Sequence, residues 1–311
     1  MEKSRYIWFN GELRAWDDAT IHVLSHVAHY GTGVFEGIRV YGRPGGGAIL
    51  ALDRHVQRFF RSCKIIGLPM SFSEQEVRDA ILTTVRRNEL EACYIRPLAF
   101  RGYGELGVLP TACPVELAIA TFPFAILHGT ESLEKGITLG VSSWRRMAPD
   151  THPAMAKATG NYLNSQMVIM EAKRHGYDEG VVLDSEGYVC ECSGENIFVL
   201  LDGVLFTPEM GASILPGITR ELAMQIAQSQ GLEVRERRIP REMLYVADEI
   251  FVTGTAAEIC PVRSVDGRTI GSGTRGEVTE KIQAHFMGVT RGDLPDTDHW
   301  LTPVQPEGEN P

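Results

Sequence analysis

The chain has 311 residues, of which 43% are hydrophobic and 23% are charged. This composition is typical of a folded globular protein and excludes disorder throughout the chain. The formal net charge is -10, and no block of clustered Lys and Arg occurs that could bind a nucleic-acid backbone. The longest mostly apolar stretch, residues 117–127, is shorter than the roughly 20 residues of a membrane helix, so no membrane association is expected.

The cysteines and the N-terminal segment favour a reducing compartment. Six cysteines are scattered along the chain without the paired spacing of a zinc site, so neither disulfides nor a bound metal is expected. No basic segment followed by a long apolar one is present at the start of the sequence, and no signal peptide is predicted. We therefore expect a cytoplasmic protein.

The first half of the chain alternates strand and helix patterns. Asn10-Gly11 predicts a tight hairpin, because this pair accepts the positive φ of a type I′ turn. Ser73 and Glu76 form a capping box, which is typical of a helix start. The predicted elements are, in chain order, strands over 6–9 and 12–16, helices over 53–66 and from 73 through 85, and strands over 92–100 and 115–122.

The second half is richer in short strands. Gly176 and Gly231 follow two helical patterns and predict their C-terminal ends. The predicted elements are a strand over 136–144, a helix over 161–175, strands over 179–183, 188–191, 197–201 and 204–206, a helix over 219–230, strands over 233–238 and 249–253, and a helix over 276–287. Prolines and acids dominate from residue 288 onward, and a poorly ordered tail is expected there.

Hairpins outnumber βαβ units in this pattern, which favours an α+β protein of two domains over a doubly wound sheet. Pro123 to Gly129 follows a strand and is predicted to link the domains. The expected division is a small N-terminal domain over 1–122, an interdomain loop over 123–134, a large cofactor-binding domain over 135–290 and a flexible tail over 291–311.

Lys157 is the first candidate for chemistry. It is the only Lys, Arg, Asp or Glu between Thr151 and Leu163, and its neighbours are small. Burial lowers the pKa of a lysine, and the resulting free amine attacks carbonyl groups. A surface lysine whose stem packs against the protein is the alternative.

An acid and two turns are further candidates. Glu191 ends a predicted strand between Cys190 and Cys192, where a buried carboxylate needs a cationic partner; a surface acid is the alternative. Pro216-Gly217 turns the chain into a helix, so the N–H groups of Ile218 and Thr219 form either an anion site or an ordinary helix start. Residues 253–258 place small side chains after a strand, which leaves backbone N–H groups accessible to a ligand or forms a tight turn.

Three arginines could each hold a carboxylate or phosphate through paired hydrogen bonds. They are Arg39, Arg58 and Arg96, although Arg58 shares a helix face with other arginines, which is also typical of a solvated surface. Together the candidates supply an amine, an acid, an anion site and a guanidinium. These groups could hold an aldehyde cofactor that carries a phosphate and a ring nitrogen.

Six motifs in order extend this pattern over nearly the whole chain. They are YIWFNG at 6–11, HYGTGVFEGIR at 29–39, YIRP at 94–97, AKATGNY at 156–162, LPGITR at 215–220 and GTAAEI at 254–259. In this combination the sequence resembles the bacterial branched-chain amino acid aminotransferases, which are pyridoxal-phosphate enzymes of fold-type IV. The resemblance implies a smaller N-terminal α/β domain and a larger C-terminal domain with a mixed, barrel-like sheet.

The resemblance implies a role for each residue that matches the family's cofactor site. Lys157 matches the lysine that forms the Schiff base and acts as general acid and base. Glu191 matches the carboxylate that pairs with the pyridine nitrogen, and Tyr162 matches the tyrosine at the phenolic oxygen. The residues that match the phosphate site are Arg58, Ile218, Thr219 and Thr255.

Residues for substrate recognition are also implied. Tyr94 and the N–H groups of Thr255 and Ala256 match the site for the substrate α-carboxylate. Arg96 matches the arginine that supports this carboxylate and receives the distal carboxylate of glutamate, and Arg39 lies near it. The side-chain pocket matches Phe35 with Tyr30 and Val108 of the partner subunit. A homo-oligomer is therefore implied, either a dimer or a hexamer built from dimers, with active sites completed across subunits.

One position departs from the family pattern. Bacterial relatives often place a tyrosine near Leu127 in the interdomain loop, and Leu127 has no hydroxyl group to offer glutamate. The neighbouring His128 could compensate, but a surface histidine is the expectation.

The implied reaction is transamination of L-leucine, L-isoleucine and L-valine with 2-oxoglutarate, giving branched-chain 2-oxo acids and L-glutamate. Two rivals share the fold, a D-amino acid aminotransferase and a lyase acting on aminodeoxychorismate. A non-catalytic protein on the same fold is a third alternative, and it predicts the loss of Lys157 or Glu191. Both residues are present, which favours an enzyme.

Overall fold

The structure, a computed structural model, describes residues 2–304. In this range the chain forms two compact units. The first comprises 2–124, 156–160 and 289–304, and the second comprises 125–155 and 161–288. Among the described residues, none of the helices has the length and apolar character that crossing a membrane requires.

Strands and helices are present in both units, which confirms the predicted α+β class. The strands are β1 (Tyr6–Phe9), β2 (Glu12–Ala15), β3 (Gly33–Phe35), β4 (Ile38–Tyr41), β5 (Ala48–Leu50), β6 (Cys93–Arg101), β7 (Val115–Phe122), β8 (Ile137–Arg145), β9 (Glu179–Leu183), β10 (Val189–Cys192), β11 (Asn196–Leu201), β12 (Val204–Thr207), β13 (Glu233–Glu236), β14 (Glu249–Gly254), β15 (Glu258–Val265), β16 (Arg268–Thr269) and β17 (Leu301–Pro303). The α-helices are α1 (His26–Tyr30), α2 (Leu52–Ile65), α3 (Glu74–Arg87), α4 (Ser132–Lys135), α5 (Tyr162–Arg174), α6 (Ile218–Ser229) and α7 (Glu277–Arg291).

The first unit is built on an antiparallel sheet. Its strand order is β17-β5-β4-β6-β7-β1-β2, and β3 also pairs with β6. The longest ladder joins β6 to β7 from the pair Tyr94 and Phe122 to the pair Arg101 and Val115. The predicted hairpin is confirmed, since β1 and β2 pair around Asn10 and Gly11, both at positive φ.

Two helices, α2 and α3, cover this sheet. The capping box of α3 is confirmed: the Glu76 N–H donates to Ser73 Oγ at 3.2 Å, and Glu76 Oε2 accepts from the Ser73 N–H at 2.7 Å. Apolar side chains spaced three and four residues apart face the sheet, because only one face of each helix is buried. The core they share with the strands includes Val56, Phe59, Val77, Ile81, Val85, Ile95, Leu117 and Ile119.

The segment after α7 differs from the predicted flexible tail. Leu301 to Pro303 form β17, which pairs with β5, and the Trp300 side chain is buried. Asp296 accepts hydrogen bonds from the N–H groups of Trp300 and Leu301, both at 2.8 Å. The sequence before β17 is rich in prolines and acids, as in a disordered tail. The strand forms because β5 offers it a pairing partner. Residues 305–311 of the predicted tail lie outside the described residues.

The second unit contains a mixed sheet. Its strand order is β10-β9-β8-β15-β14-β11-β12-β13, with β16 paired to β15. The pairs β8–β9, β8–β15 and β12–β13 are parallel, and the others are antiparallel. Its central strands are apolar on both faces, as in Ile197 to Val199 and Ile250 to Val252, which are all nearly fully buried.

The unit boundaries differ in part from the predicted domains. The predicted and the observed boundaries agree near residues 123–125, but residues 156–160 and 289–304 belong to the first unit. The reason is backbone pairing: the Phe35 N–H donates to the Lys157 carbonyl, and Val34 forms a β-bridge with Ala158. These residues are far apart in the sequence, so the local sequence pattern cannot predict their pairing.

Candidate active site

The first unit holds Lys157 through its own backbone. The Phe35 N–H donates to the Lys157 carbonyl at 3.1 Å, and the Lys157 N–H donates to Ser62 Oγ at 3.0 Å. Lys157 Nζ lies 4.9 Å from the centroid of the Phe35 ring. Lys157 is therefore a partly buried amine at a fixed position, as one of the two sequence interpretations predicts.

Close backbone contact fixes the residues that follow. The Gly160 N–H and the Thr159 hydroxyl both donate to the Gly31 carbonyl, at 3.2 and 2.7 Å. Gly31 has a φ of 63°, and a Cβ there would lie 2.9 Å from the Cα of Gly160. Glycine is required at this point because any side chain would collide with Gly160, in the segment that carries Lys157.

Arg58 is buried and not on a solvated face. Its guanidinium donates to both carboxylate oxygens of Glu36, from Nε to Oε1 at 2.7 Å and from Nη2 to Oε2 at 2.8 Å. His55 lies one helical turn before Arg58, and its Nδ1 is 2.7 Å from Glu36 Oε2. This paired geometry fixes the plane of the guanidinium.

The electrostatics of this group favour an ionised Glu36. Burial opposes ionisation, but the charge of Arg58 and the hydrogen bonds from Arg58 and His55 outweigh it and lower the pKa of Glu36 well below its usual range. Burial lowers the pKa of His55 below its usual value, although Glu36 opposes the shift. Sequence reasoning missed Glu36 and His55. The signal that could have found them is the pair of cation-capable residues at 55 and 58 on one helix face.

Tyr94, Arg96 and Phe35 meet on the sheet of the first unit. The guanidinium of Arg96 stacks on the rings of Phe35 and Tyr94, with its central carbon 4.8 and 5.4 Å from their centroids. Arg39 lies opposite Tyr94 in the β4–β6 ladder. A Cβ on Gly37 would fall 1.9 Å from the Tyr94 hydroxyl, so glycine leaves the space that this hydroxyl occupies.

The Nε of Arg96 is buried and has no hydrogen-bond partner within residues 2–304. A buried guanidinium N–H without an acceptor is costly, and a carboxylate ligand would satisfy it. Tyr30 and Val108, which the resemblance assigns to a partner's pocket, are exposed by 41% and 82%. Their role is therefore still a prediction.

The second unit holds Glu191 in a dense hydrogen-bond network. Arg146 Nη2 lies 2.5 Å from Glu191 Oε1, and Asn196 Nδ2 and the Leu215 N–H donate to Oε2 at 3.0 and 2.9 Å. Glu191 and Arg146 are both buried. The cationic partner that the sequence predicts for a buried Glu191 is therefore present, and it is Arg146.

The same network reaches the start of α6. Asn196 Nδ2 also donates to the Leu215 carbonyl at 3.0 Å, which ties the Leu215-Pro216-Gly217 turn to the strand end at Glu191. A Cβ on Gly217 would fall 1.9 Å from Asn196 Oδ1. Gly217 is the N-cap of α6 and has no side chain to cap it, so the helix start at Ile218 and Thr219 offers N–H groups to an anion.

Thr255 and Ala256 form the turn between β14 and β15. The Leu127 N–H donates to the Ala256 carbonyl at 3.0 Å, so a loop of the same unit packs against this turn. Tyr162 is the first residue of α5 and is partly buried.

His128 is not the surface residue that the sequence suggests. Its side chain is only 8% exposed, and its Nε2 lies 2.6 Å from Glu195 Oε1. Glu179 and Glu195, two further buried acids of this unit, were missed because their burial depends on strand packing and not on local sequence.

Comparison with known proteins places the chain in one family. The sequence model of the amino-transferase class IV family matches residues 33–265. The branched-chain-amino-acid aminotransferase of Escherichia coli (strain K12) is 50% identical over 97% of this chain and 98% of its own.

Solved structures agree. The crystal structure of the Escherichia coli branched-chain amino acid aminotransferase has a TM-score of 0.96 at 50% identity, covering 97% of this chain and all of that chain. The branched-chain amino acid aminotransferase from Thermobaculum terrenum, in its PLP-form, has a TM-score of 0.92 at 34% identity, covering 98% and 100% of the two chains. The predicted fold-type IV architecture is thereby confirmed. The chain belongs to the branched-chain-amino-acid aminotransferase family, within the class IV aminotransferases.

Proposed function

We propose that the chain transfers the amino group of L-leucine, L-isoleucine and L-valine to 2-oxoglutarate, with branched-chain 2-oxo acids and L-glutamate as products. The observation that carries this proposal is the network around Glu191, which joins a buried ionic pair to a helix start. The family has pyridoxal phosphate as its cofactor. The similarity to named branched-chain aminotransferases over nearly the whole chain supports the substrate class.

The residues present fit pyridoxal phosphate by their chemistry. The cofactor offers an aldehyde, a basic ring nitrogen and a phosphate dianion, which need an amine, a carboxylate and cationic or N–H donors. Lys157, Glu191 and the start of α6 with Arg58 supply these groups. Glu191, paired with Arg146, is a carboxylate acceptor of the kind that a protonated ring nitrogen needs.

We assign the cofactor contacts accordingly. Lys157 binds the aldehyde carbon, Glu191 binds the ring nitrogen, and Tyr162 donates to the phenolic oxygen. Phosphate binding falls to Arg58, Ile218, Thr219 and Thr255. Glu36 and His55 position Arg58, because they fix its guanidinium without being phosphate ligands themselves.

When bound, pyridoxal phosphate supplies an electron sink that stabilises negative charge at the substrate Cα. Lys157 would take up the proton from this Cα and later release it, since it is the amine that the backbone contacts with Phe35 and Ser62 hold in place. Glu191, which Arg146 and Asn196 hold in orientation, would accept a hydrogen bond from the protonated ring nitrogen.

Substrate binding combines an anion site with an apolar surface. Tyr94 and the N–H groups of Thr255 and Ala256 bind the α-carboxylate, and Arg96 supports it with Arg39 nearby. The unsatisfied Arg96 Nε also suits the distal carboxylate of 2-oxoglutarate. Phe35 contributes apolar surface for a branched side chain, which is how one site accepts both substrates.

We also propose an oligomeric state and a cellular compartment for the enzyme. A homodimer, or a hexamer built from dimers, would let Tyr30 and Val108 of the partner subunit complete the side-chain pocket. Their exposure in the single chain is consistent with this role. We place the enzyme in the cytoplasm, and we propose 1–122 and 135–290, joined by 123–134, as the functional division, with residues 156–160 contributed to the first unit.

The visible absorption spectrum of the purified protein tests the cofactor and the donor together. Protein incubated with pyridoxal phosphate and desalted should show the absorption band of the lysine-bound cofactor, and L-leucine alone should remove that band. No band after incubation would contradict the cofactor assignment and favour the non-catalytic alternative.

A donor screen separates the rivals that share the fold. L-valine should discharge the band, whereas D-alanine and aminodeoxychorismate should leave it unchanged. Discharge by D-alanine alone, or conversion of aminodeoxychorismate, would overturn the substrate class while keeping the cofactor.

A further inference from the structure

A loop of the second unit, residues 125–129, is fastened at two points. The Leu127 N–H donates to the Ala256 carbonyl at 3.0 Å, and His128 Nε2 lies 2.6 Å from Glu195 Oε1. The His128 and Glu195 side chains are only 8% and 1% exposed. A buried ion pair of this length is specific in geometry, and losing one partner leaves the other charge uncompensated.

The two hydrogen-bond partners of this loop, Glu195 and Ala256, adjoin or belong to residues of the proposed site. Glu195 closes the turn between β10 and β11, where the Cys192 N–H donates to the Glu195 carbonyl at 2.7 Å. Asn196 follows directly and donates to Glu191. The other anchor, the Ala256 carbonyl, belongs to the turn whose N–H groups we assign to the substrate α-carboxylate.

Glu179 joins His128 and Glu195 in a cluster of three titratable side chains. Glu179, Glu195 and His128 each place a polar atom within 4.8 Å of the others. Burial and the charge of Glu195 raise the pKa of Glu179 to about 7. Glu179 is further held by the N–H groups of Gly180 and Ser193 and by the Ser193 hydroxyl. Two buried carboxylates therefore lie beside one histidine.

The surroundings favour a charged His128. Burial lowers its pKa, but the hydrogen bond and charge of Glu195, with that of Glu179, outweigh burial and the opposing charge of Lys173 and raise it. The buried thiols of Cys192 and Cys260 also face the cluster. Burial raises their pKa values, so they stay neutral and add no charge there.

We propose that His128 is a positioning residue for substrate binding: in its charged form it fastens the loop 125–129 to Glu195, and Leu127 in that loop orients the turn at Thr255 and Ala256. This proposal rests on the proposed function, which assigns the N–H groups of that turn to the substrate α-carboxylate. The bond from Leu127 fixes the peptide that follows the carboxylate-binding N–H groups. A loosened loop would let this turn move away from its binding geometry.

The α-carboxylate is common to amino acids and 2-oxo acids. Loss of the anchor should therefore raise KM for L-leucine and for 2-oxoglutarate together and leave kcat within about twofold, because the turn contributes uniform binding. A change for only one substrate would instead indicate contact with its side chain.

Three variants of the pyridoxal-phosphate-loaded protein test the proposal. His128→Leu removes the donor, and KM for both substrates should rise about tenfold, as expected for one charge-assisted hydrogen bond. His128→Gln keeps a donor at the position of Nε2 and should restore KM to within about threefold of the wild type. His175→Leu, at an exposed histidine of the same unit, is the matched control and should leave both KM values unchanged.

The pH dependence separates an anchor from simple packing. The pKa of His128 is raised above its ordinary value of 6.5, so its charge is lost, and KM of the wild type should rise, as the pH increases through that raised pKa. His128→Gln has no such group, so the ratio of the two KM values isolates the contribution of His128. A ratio that does not change with pH would overturn the role of the charge.

Hydrogen–deuterium exchange of the loaded protein without substrate gives a readout that is independent of activity. Backbone amides of 125–131 and 255–257 should exchange at least about tenfold faster in His128→Leu than in the wild type, and at wild-type rates in His175→Leu. Unchanged exchange would refute the anchor even if the wild type transaminates L-leucine. Faster exchange in a protein with no activity towards L-leucine would keep the anchor and refute the proposed function.

Elemental analysis of the same samples addresses the other possible occupant of the cluster. Glu195 Oε2 has no hydrogen-bond partner among the described residues and could also face a metal ion. We expect the wild type and His128→Leu to have the same metal content, with no stoichiometric metal ion that depends on His128. A metal lost with His128 would overturn the account of His128 and Glu195 as an ion pair.

Discussion

Lys157 shows how backbone contacts place a reactive side chain. Both its N–H and its carbonyl are bonded, to Ser62 and Phe35, so the start of the side chain is fixed before any ligand binds. The sequence could identify this lysine by its uncharged surroundings. It could not identify Ser62 or Phe35 as its partners, because they lie about a hundred residues away along the chain.

Lys157→Ala should lower transamination of L-leucine by three orders of magnitude or more, since general acid–base catalysis alone contributes about 10²- to 10⁴-fold. The fold should persist, because alanine suits a segment that already contains Ala156 and Ala158. Steady-state kinetics measures the loss, and an unchanged circular dichroism spectrum is the control. Full activity in this variant would refute the mechanistic assignment.

Glu36 links the stability of the fold to pH. Its pKa is lowered in the folded state, so its contribution to stability is fully present above its unfolded value of 4.5 and is lost as pH falls towards the folded value. Glu36→Gln should lower the free energy of unfolding by about 3–5 kcal/mol at neutral pH, because Arg58 would lose its buried partner.

The difference in Tm between the wild type and Glu36→Gln isolates this effect, because other titrating groups cancel. The difference should be constant above about pH 5 and shrink below it. A difference that grows as pH falls would contradict the assigned direction. The same variant should bind pyridoxal phosphate more weakly, measured by fluorescence titration, if Glu36 positions Arg58.

At the scale of elements, the start of α6 is the clearest case of a glycine required by packing. Gly217→Ala would place a methyl group 1.9 Å from Asn196 Oδ1. Asn196 would then leave Glu191 and Leu215, and we expect about tenfold weaker binding of pyridoxal phosphate and about 1–3 kcal/mol of lost stability.

Gly211→Ala is the matched control for this prediction. A Cβ at Gly211 meets only the flexible Glu209 side chain at 3.9 Å, so little change is expected in cofactor affinity or Tm. Equal effects of the two substitutions would show that Gly217 acts through backbone propensity and not through Asn196.

The elements also show where local sequence is sufficient. The capping box of α3, the Asn10-Gly11 hairpin and the helix ends near Gly176 and Gly231 were all predictable, because each depends on residues within a few positions. The strands β3, β5 and β17 were not, since three residues are too short for a periodic pattern. Their structure depends on pairing with strands that are distant in sequence.

In the candidate site, too, the features set by local sequence were predictable and those set by distant residues were not. The residue types for the cofactor were predictable from composition around Lys157 and Glu191, and the resemblance supplied their roles. Arg146, which balances Glu191, was not identified, because it lies 45 positions earlier and its burial depends on the sheet. His128 was expected at the surface because a loop position carries no sign of burial.

At the scale of the whole molecule, exposed Tyr30 and Val108 lead to a prediction about assembly. Sedimentation should give at least twice the chain mass of 34.4 kDa. Val108→Asp should raise KM for L-leucine, although Val108 is not a pocket residue of its own subunit in the proposed assembly.

Mixing subunits tests whether sites are shared. In a dimer of Val108→Asp and Lys157→Ala subunits, one site has both wild-type residues, so co-refolded equal mixtures should regain about a quarter of wild-type activity. The two variants assayed without mixing are the control. No gain on mixing would show that Val108 acts within its own subunit or not at all.

The pairing of β17 with β5 has a consequence for biosynthesis. The whole of the second unit lies in sequence between parts of the first, and the edge strand of the first unit at Leu301 is made about 250 residues after Leu50. At translation rates of about 5–20 residues per second, β5 would wait roughly 10–50 seconds for its neighbour. During that interval β5 is a bare sheet edge on the nascent chain, so ribosome-associated chaperones are expected to engage the first unit until residue 303 emerges.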